Sequence, residues 1–346
     1  MRTVRAEPTA AGELPGLGAE PGRLDALLVR GGAHWVVARD GAAVTAARVS
    51  ADPGAVFDLH RVRPVPGQGY VTPVPGGGLA VSGGDAVTLQ DADGSVRWTF
   101  PHLPWPAGAS GACAPEPSGA GLLAVVPPAD PTARGELLVV LDLATGTPLA
   151  RTPLPTHWGT YAFQHRLGPP AAHSVLLDAA QGQEEAYSLL ASRAGVAQVG
   201  GWDEPFTGGS DPTGGFLTLA VGGERLTRYD ASARAATAVD AADVLPDGLV
   251  FTGRPGFLDA RRVLAPAGED PWEDACRHLL LDAGDLRPRA RIAYPPDVGE
   301  VSRALPLGDG TWLTLHGDTV RRWRTPVTAP DPSGPDPSGP EPEETP

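Results

Sequence analysis

Residues 86–100, Ala86-Val-Thr-Leu-Gln-Asp-Ala-Asp-Gly-Ser-Val-Arg-Trp-Thr-Phe100, contain the pattern that decides the fold. Their apolar residues alternate with polar or small ones on both sides of Asp93-Gly94, which is the period of a half-buried β-strand. Asp-Gly between two such runs is typical of a tight hairpin turn, because glycine accepts a positive φ and the aspartate side chain can bond the turn backbone. The stretch therefore predicts a β-hairpin.

Variants of this hairpin recur along the chain at intervals of roughly 40 to 53 residues, the spacing of four-stranded propeller blades. A further apolar run, such as residues 27–29 and 249–251, precedes most copies and is expected to be the second strand, and a weaker strand pattern precedes that run. Each copy thus predicts a unit of four strands, and the hairpin supplies its third and fourth strands. The seven copies span residues 34–49, 86–100, 137–154, 186–199, 225–239, 278–294 and 318–323.

The seventh copy lacks a fourth strand before a Pro-rich tail begins. Thr3-Val-Arg-Ala6 resembles Ser95-Val-Arg-Trp98, so we expect residues 3–6 to supply the missing outer strand. Such pairing of the two chain ends would close a ring and leave few open sheet edges.

The turn Asp142-Leu-Ala-Thr-Gly146 and the Asp93-Gly94…Trp98 pattern resemble the blades of pyrroloquinoline-quinone-type and WD-repeat-like propellers. This resemblance implies an all-β fold, a seven-bladed β-propeller of four-stranded antiparallel blades over residues 1–325. The chain departs from true WD repeats because it lacks their repeated Gly-His and Trp-Asp pairs. It departs from quinoprotein enzymes because most copies lack the Trp after the turn. The resemblance therefore implies an architecture and no catalytic residue.

Composition and charge restrict the partners and the compartment. The net charge of −14 and the pI near 4.9 make nucleic acid a poor partner by bulk electrostatics, so we expect none, although a local Arg patch could defeat that argument. No run of 18 apolar residues predicts a membrane span, and residues 1–32 have no apolar core of the length that a secretory signal needs. We expect a soluble, cytoplasmic protein. Residues 326–346, rich in Pro and acidic residues, are predicted to form a disordered tail.

Signatures of catalysis or cofactor binding are weak, and we expect no cofactor. The two cysteines, Cys113 and Cys276, imply neither a disulfide framework nor a metal cluster. His278 follows Cys276 by two residues, so both side chains should point to the same strand face; we interpret the pair as packing, not as a nucleophile and its base. The histidines are scattered, and a metal site assembled across several blades stays open.

Propeller geometry places the connections between strands two and three, and those between blades, on one face. In this chain the turns between strands three and four are short, whereas the connections on the opposite face are long and varied. These expected loops span residues 49–69, 101–111, 127–135, 155–160, 200–213 and 254–275. Long loops on a rigid scaffold are the usual place for binding, and aromatic and Arg side chains most often anchor interfaces. We therefore predict contacts to a partner, with packing against a neighbouring blade as the alternative for the tryptophans. The predicted residues are Trp105, His157, Trp158, Trp202, Phe206, Arg261, Arg262 and Trp272.

Two functions from different classes remain. The first hypothesis is a non-catalytic propeller that presents its long loops to a protein partner or a small ligand. The alternative is a hydrolase-, lyase- or lactonase-type propeller enzyme with polar groups around the central channel. His, Asp and Glu side chains that converge from several blades would favour the enzyme. Fold alone cannot choose between them.

Overall fold

The computed structural model confirms a seven-bladed β-propeller of four-stranded antiparallel sheets. It describes residues 1–14, 24–30, 33–40, 43–65, 69–106, 111–130, 135–156, 159–167, 174–181, 185–200, 206–271, 276–299, 301, 304–316 and 319–326. The predicted tail, apart from residue 326, lies outside the described residues.

The strands are numbered in chain order, and the blades follow that order from blade 1 to blade 7. The chain begins with β1 (Arg2–Arg5) and β2 (Glu7–Glu13). Blade 1 consists of β3 (Leu24–Arg30), β4 (Ala33–Asp40), β5 (Ala43–Val49) and β6 (Phe57–Pro64). Blade 2 consists of β7 (Tyr70–Pro73), β8 (Leu79–Ser82), β9 (Ala86–Gln90) and β10 (Val96–Pro101). Blade 3 consists of β11 (Cys113–Pro115), β12 (Gly121–Val126), β13 (Leu137–Asp142) and β14 (Pro148–Pro153).

Blade 4 consists of β15 (Thr160–Gln164), β16 (Val175–Gln181), β17 (Glu185–Ser192) and β18 (Gly195–Val199). Blade 5 consists of β19 (Phe206–Ser210), β20 (Phe216–Leu219), β21 (Arg225–Tyr229) and β22 (Ala235–Asp240). Blade 6 contains β23 (Val250–Phe251), β24 (Gly256–Phe257), β25 (Arg262–Gly268), β26 (Arg277–Asp282) and β27 (Pro288–Ala293). Blade 7 contains β28 (Ala304–Pro306), β29 (Thr311–His316) and β30 (Thr319–Arg324). Helical segments of the described residues are short: α1 (Ala241–Val244) and the 3₁₀ segments Pro75–Gly77 and Pro296–Val298.

Burial differs between the middle and the outer strands of a blade. All residues of β8, β12 and β20 are buried, because both faces of a middle strand pack against neighbouring blades. The outer strands β6, β14 and β22 instead alternate exposed and partly buried residues. This is the alternation seen in the sequence, with one face of the outer strand on the core and one in solvent.

The N-terminus closes the ring, but through a different segment from the one predicted. The outer strand of blade 7 is β2, which pairs antiparallel with β30. Residues 3–6 do not fill that place, since β1 pairs parallel with β27 at the outer edge of blade 6. Buried Ala6, whose N–H donates to the carbonyl of Ala293 at 2.8 Å, lies between the two strands. The first residues thus join blades 6 and 7 before the chain enters blade 1.

A buried arginine completes the closure between blades 7 and 1. Arg322 on β30 is 0% exposed and ion-pairs with Asp309. Its Nη1 donates to the carbonyls of Ser50, Asp52 and Ala55 at 2.7, 2.9 and 3.1 Å. All three carbonyls belong to the connection between β5 and β6 of blade 1. A buried guanidinium is tolerated here because carbonyl and carboxylate acceptors surround it.

Two blades differ from the predicted strand assignment. In blade 1 the predicted hairpin of residues 34–49 forms the second and third strands, because β6 lies within the stretch 49–69 that we expected to be a loop. In blade 6 residues 249–251 were expected to be the second strand, but β23 is innermost and β25 is the second strand. Strand β25 lies within the expected loop 254–275. The residue pattern of a strand does not give its position within a blade, because that position depends on the strands with which it pairs.

Candidate functional site: the blade 6 cavity

Alternating strand directions sort the connections onto two faces. The face that carries the short turns between strands three and four is called here the turn face, and the opposite one the long-loop face. The long-loop face holds the connections between strands two and three and those between blades, including 101–113, 126–137, 153–160, 199–206, 240–250, 268–277 and 293–304.

Trp105 lies in a connection of the long-loop face, but its side chain is buried. The indole is 6% exposed, and its ring centroid lies 6.2 Å from that of Tyr161 in blade 4. It belongs to the same apolar cluster as Leu123 of blade 3. The packing alternative therefore describes Trp105, and we leave this residue out of the proposed partner surface.

Four other predicted contacts lie outside the described residues: His157, Trp158, Trp202 and Trp272. Phe206 begins β19, a strand that pairs with β20. Their predicted role in partner binding stays a prediction.

Arg261 and Arg262 belong to the opposite face from the one expected. They follow β24 at the turn to β25, and the N–H of Ala283, in the turn-face connection of blade 6, donates to the carbonyl of Arg261 at 2.8 Å. Arg262 Nη2 lies 2.6 Å from the carboxylate of Asp259, and its Nη1 donates to Thr325 Oγ1 at 2.5 Å. Their separation from the long loops follows from the unexpected strand β25, which reverses the chain direction after Arg261.

A cavity of about 630 Å³ opens on the long-loop face of blade 6. The ends of β25, the start of β26, the end of β27 and the connection to β28 line it. Its charged lining residues are Glu269, Arg277 and Arg291, all exposed. Arg277 and Arg291 have no carboxylate partner in the part of the chain that the structure describes. The volume is that of a pocket for a small molecule or a short peptide segment.

A row of hydrogen-bonding side chains borders the cavity. Half-buried Cys276 has its Sγ 3.5 Å from Nε2 of His278, which is 2% exposed. Nδ1 of His278 lies 2.8 Å from the hydroxyl of Tyr294, and Trp312 Nε1 donates to that hydroxyl at 2.9 Å. The row therefore runs from blade 7 through Tyr294 to the cysteine thiol.

Burial determines the protonation of the histidine and the tyrosine. Desolvation lowers the pKa of His278 to about 4, so the imidazole is neutral near pH 7. Desolvation also raises the pKa of Tyr294, so its hydroxyl keeps its proton. Both groups are neutral hydrogen-bonding groups in this row.

Sequence reasoning identified only part of this site. It paired Cys276 with His278 from their spacing, and the structure brings the two side chains into contact as expected for one strand face. It missed Tyr294, Arg277 and Arg291, because β27 and the connection after it approach β26 only in the folded blade. Runs of Arg at strand ends were the available signal, but such residues are common on surfaces.

Over the described residues, no group of three or more His, Cys, Asp or Glu side chains is arranged to hold a metal ion. No helix within those ranges has the length and apolar character needed to cross a bilayer.

Comparison with known proteins shows the fold alone. The sequence matches no protein-family model, and no curated protein matches it. A chain of the crystal structure of the mitotic checkpoint complex is similar at 13% identity, covering 92% of this chain and 91% of that chain, with a TM-score of 0.58. The Neurospora crassa Pan2 WD40 domain is similar at 12% identity, over 94% of this chain and 96% of that domain, with a TM-score of 0.54.

The β-propeller domain of Myceliophteria thermophila Cps50 (Swd1) is similar at 12% identity, covering 86% of this chain and 94% of that chain, with a TM-score of 0.53. The expected likeness to pyrroloquinoline-quinone-type blades is not among these findings. The chain therefore has the fold of a seven-bladed β-propeller, and this fold is similar to that of WD40 propeller domains.

Proposed function

We propose that this protein is a non-catalytic interaction propeller whose long-loop face binds an acidic segment of a protein partner at the blade 6 cavity. The observation that carries the proposal is a cavity of about 630 Å³ bordered by two exposed arginines, Arg277 and Arg291. Concave sites that combine apolar walls with a few charged groups are the usual binding sites of proteins.

Electrostatics favours an acidic partner segment at this position. The chain as a whole carries a net charge of −14, so an acidic segment is repelled by most of its surface. Arg277 and Arg291 outweigh the Glu269 carboxylate of the same lining, so these three groups together carry a net charge of about +1 and create a local positive potential. Arginine also binds carboxylates through two parallel hydrogen bonds, which gives orientation as well as affinity. The surrounding negative charge then restricts binding to this location.

The predicted contacts of the neighbouring loops complete the proposal. In the sequence, His157, Trp158, Trp202 and Trp272 lie between described strands whose ends meet the long-loop face, and Phe206 starts the strand after Trp202. Aromatic residues in those connections would add buried contact area around a charged centre, the usual arrangement of an interface.

The test uses the full chain and short synthetic peptides that are acidic, neutral or basic but otherwise matched. Fluorescence anisotropy should show binding of acidic peptides alone, because only they complement the arginines. The double variant Arg277→Gln, Arg291→Gln should weaken that binding about tenfold or more. Raised salt should weaken it as well.

A matched control changes the same charge on the turn face. Arg97 and Arg289, which pair with Asp91 and Asp285, follow the short turns of blades 2 and 6. The double variant Arg97→Gln, Arg289→Gln should leave peptide binding unchanged. Equal losses in both double variants, or binding without regard to peptide charge, would refute the proposed function.

A further inference from the structure

The two cysteines of the chain have different environments. Cys113 on β11 is 0% exposed, whereas Cys276 is half-buried and lines the blade 6 cavity. A reagent in the cavity would reach Cys276 without any change in the fold. The molecule thus contains its own comparison between an enclosed thiol and a thiol in a cavity.

The hydrogen-bonded row beside Cys276 has a direction. The indole Nε1 of Trp312 is only a donor, so the Tyr294 hydroxyl accepts from it. The Tyr294 hydroxyl can in turn donate its hydrogen to Nδ1 of His278, 2.8 Å away. We assign the neutral imidazole the matching tautomer, with its one proton on Nε2, which lies 3.5 Å from the sulfur of Cys276.

This direction changes the role of the histidine. The thiol of Cys276 donates its hydrogen to the carbonyl of Val301 at 3.9 Å. In the assigned tautomer His278 cannot accept that hydrogen and does not act as a base. Its Nε2–H donates to sulfur, which stabilises the thiolate once the thiol has lost its proton. Arg277 and Arg291 at the same cavity also favour a negative charge, and they outnumber Glu269, which opposes it. The thiolate is the nucleophilic form of cysteine.

We propose that the blade 6 cavity admits small anionic disulfides and that Cys276 captures half of such a molecule as a mixed disulfide. The arginines attract and orient the negatively charged groups of the disulfide, and the cavity volume accommodates a compound of that size. His278 is a positioning residue in this proposal. The inference goes beyond partner binding and depends on thiol chemistry, not on a partner's presence.

The reaction is a thiol–disulfide exchange that balances without a further oxidant. The Cys276 thiol releases its proton to solvent and becomes a thiolate. Its sulfur attacks one sulfur of the disulfide, so that the Cys276–sulfur bond forms while the sulfur–sulfur bond of the reagent breaks. The leaving thiolate takes up a proton from solvent. Cys276 is oxidised to the disulfide level, and one half of the reagent is reduced to a thiol.

The experiment compares three aliphatic disulfides of different charge: dithiodipropionate (anionic), hydroxyethyl disulfide (neutral) and cystamine (cationic). Intact-mass spectrometry follows one adduct per chain, and each rate is divided by the rate for the same chain unfolded in urea. The folded chain should favour the anionic reagent over the cationic one by about tenfold. Cys276→Ser should abolish the adduct, and Cys113→Ser should leave it unchanged.

Two variants separate the proposed roles. In the Arg277→Gln, Arg291→Gln double variant the preference for the anionic reagent should disappear. For the neutral reagent, the rate of adduct formation should rise with pH. In His278→Phe the midpoint of that rise should lie at a higher pH than in the unchanged protein, because the N–H donor to sulfur is lost. A merely structural role for His278 would not move that midpoint.

Three outcomes would overturn the inference: an adduct on Cys113, equal normalised rates for all three charges, or retention of the charge preference without the arginines. If His278→Phe fails to fold, the charge comparison on the unchanged protein and the arginine variant still decides. Failure of the peptide test leaves this result untouched, because no partner is present in it.

Discussion

Two turns of the turn face, residues 142–148 in blade 3 and 282–288 in blade 6, have the same backbone and different packing. In both, the aspartate Oδ1 accepts from the N–H groups two and three residues later. In both, the N–H of the fifth residue donates to the aspartate carbonyl at 2.8 Å. The fifth residue has a left-handed φ in each case, 72° for Gly146 and 56° for Leu286.

The space beside that fifth residue is filled from opposite sides. In blade 3 the ring of Trp98, from the outer strand of blade 2, packs against Gly146, and a Cβ there would lie 2.7 Å from the ring. In blade 6 the filling group is Leu286 itself, which is 0% exposed and packs in the cluster between blades 5 and 6.

The carbonyl of the residue that follows each aspartate accepts a hydrogen bond from the preceding blade. Trp98 Nε1 donates to the carbonyl of Leu143 at 3.0 Å, and Arg228 Nη1 donates to the carbonyl of Ala283 at 2.9 Å. The same turn backbone thus occurs at two differently packed blade interfaces. Glycine is required at the fifth position only where a side chain of the preceding blade, such as Trp98, already fills the space beside it. This exchange explains why the outer strand of blade 5 does not need a Trp at the position that Trp98 has in blade 2.

The largest effect is expected for Trp98→Ala. This removes an indole that is 8% exposed together with its hydrogen bond to Leu143. The free energy of unfolding should fall by about 3–5 kcal/mol, measured by urea titration. Val96→Ala is the control on the same strand, because Val96 is 58% exposed. Similar losses in both variants would contradict the packing described for blade 3.

Leu286→Ala should be the next most destabilising change. It removes buried methyl groups between blades 5 and 6 and keeps the left-handed backbone, so we expect a loss of about 2–4 kcal/mol in the same titration. Leu149→Ala, at an exposed position (46%) of β14, is the matched control with an expected effect near zero. A loss for Leu286→Ala no larger than the control would show that the two turns do not exchange their packing roles.

Gly146→Ala tests the claim that the neighbour forces glycine. The new Cβ meets the Trp98 ring and sits at a positive φ, so we expect a loss of about 1–3 kcal/mol. In a Trp98→Ala background the steric part vanishes, and the cost should shrink by at least about 0.5 kcal/mol. Strict additivity in this double-mutant cycle would remove the steric explanation and leave only the backbone.

The shared aspartates should make stability depend on pH in the same direction for both turns. Hydrogen bonds to Thr145 lower the pKa of Asp142, and those to Gly284 and Asp285 lower the pKa of Asp282. A carboxyl with a folded pKa below its unfolded value stabilises the fold above the unfolded pKa, near 3.9, and loses that contribution as pH falls through the folded pKa.

Asp142→Asn and Asp282→Asn should therefore flatten the acid limb of stability against pH, by less than the effects above, when urea midpoints are compared from neutral pH down to about 3. Asp58→Asn, outside both turns, is the control. An unchanged acid limb in both turn variants would show that these hydrogen bonds do not favour the ionised carboxylates.

The smallest effect, and the only gain, is expected for Ala233→Gly. Ala233 occupies a left-handed position (φ 60°) in the turn of blade 5. Glycine removes that strain but makes the unfolded chain more flexible, so the net gain should be about 0.5 kcal/mol. Ala235→Gly, in the extended strand β22, should instead lower stability. A loss in both variants would mean that the left-handed alanine is not strained.

Much of the fold could be predicted because the information is local. The hairpin of residues 86–100 and the turn 142–146 follow from alternation and turn chemistry within about a dozen residues. The candidate site was less accessible to such reasoning. Trp105 looked like an exposed anchor until the packing of blades 3 and 4 enclosed it, and Arg261 belonged to the other face once β25 was recognised.

Local sequence patterns are enough to specify an all-β chain of seven repeated sheet units, because side-chain alternation and aspartate–glycine turns act between near neighbours. Tertiary structure decided the position of each strand in its blade, the closure by residues 7–13 and the cavity beside Cys276. Those features depend on contacts between residues far apart in the chain, such as Arg322 with Ser50, 272 positions away. Their energies depend on enclosure by neighbouring blades, which no local pattern contains.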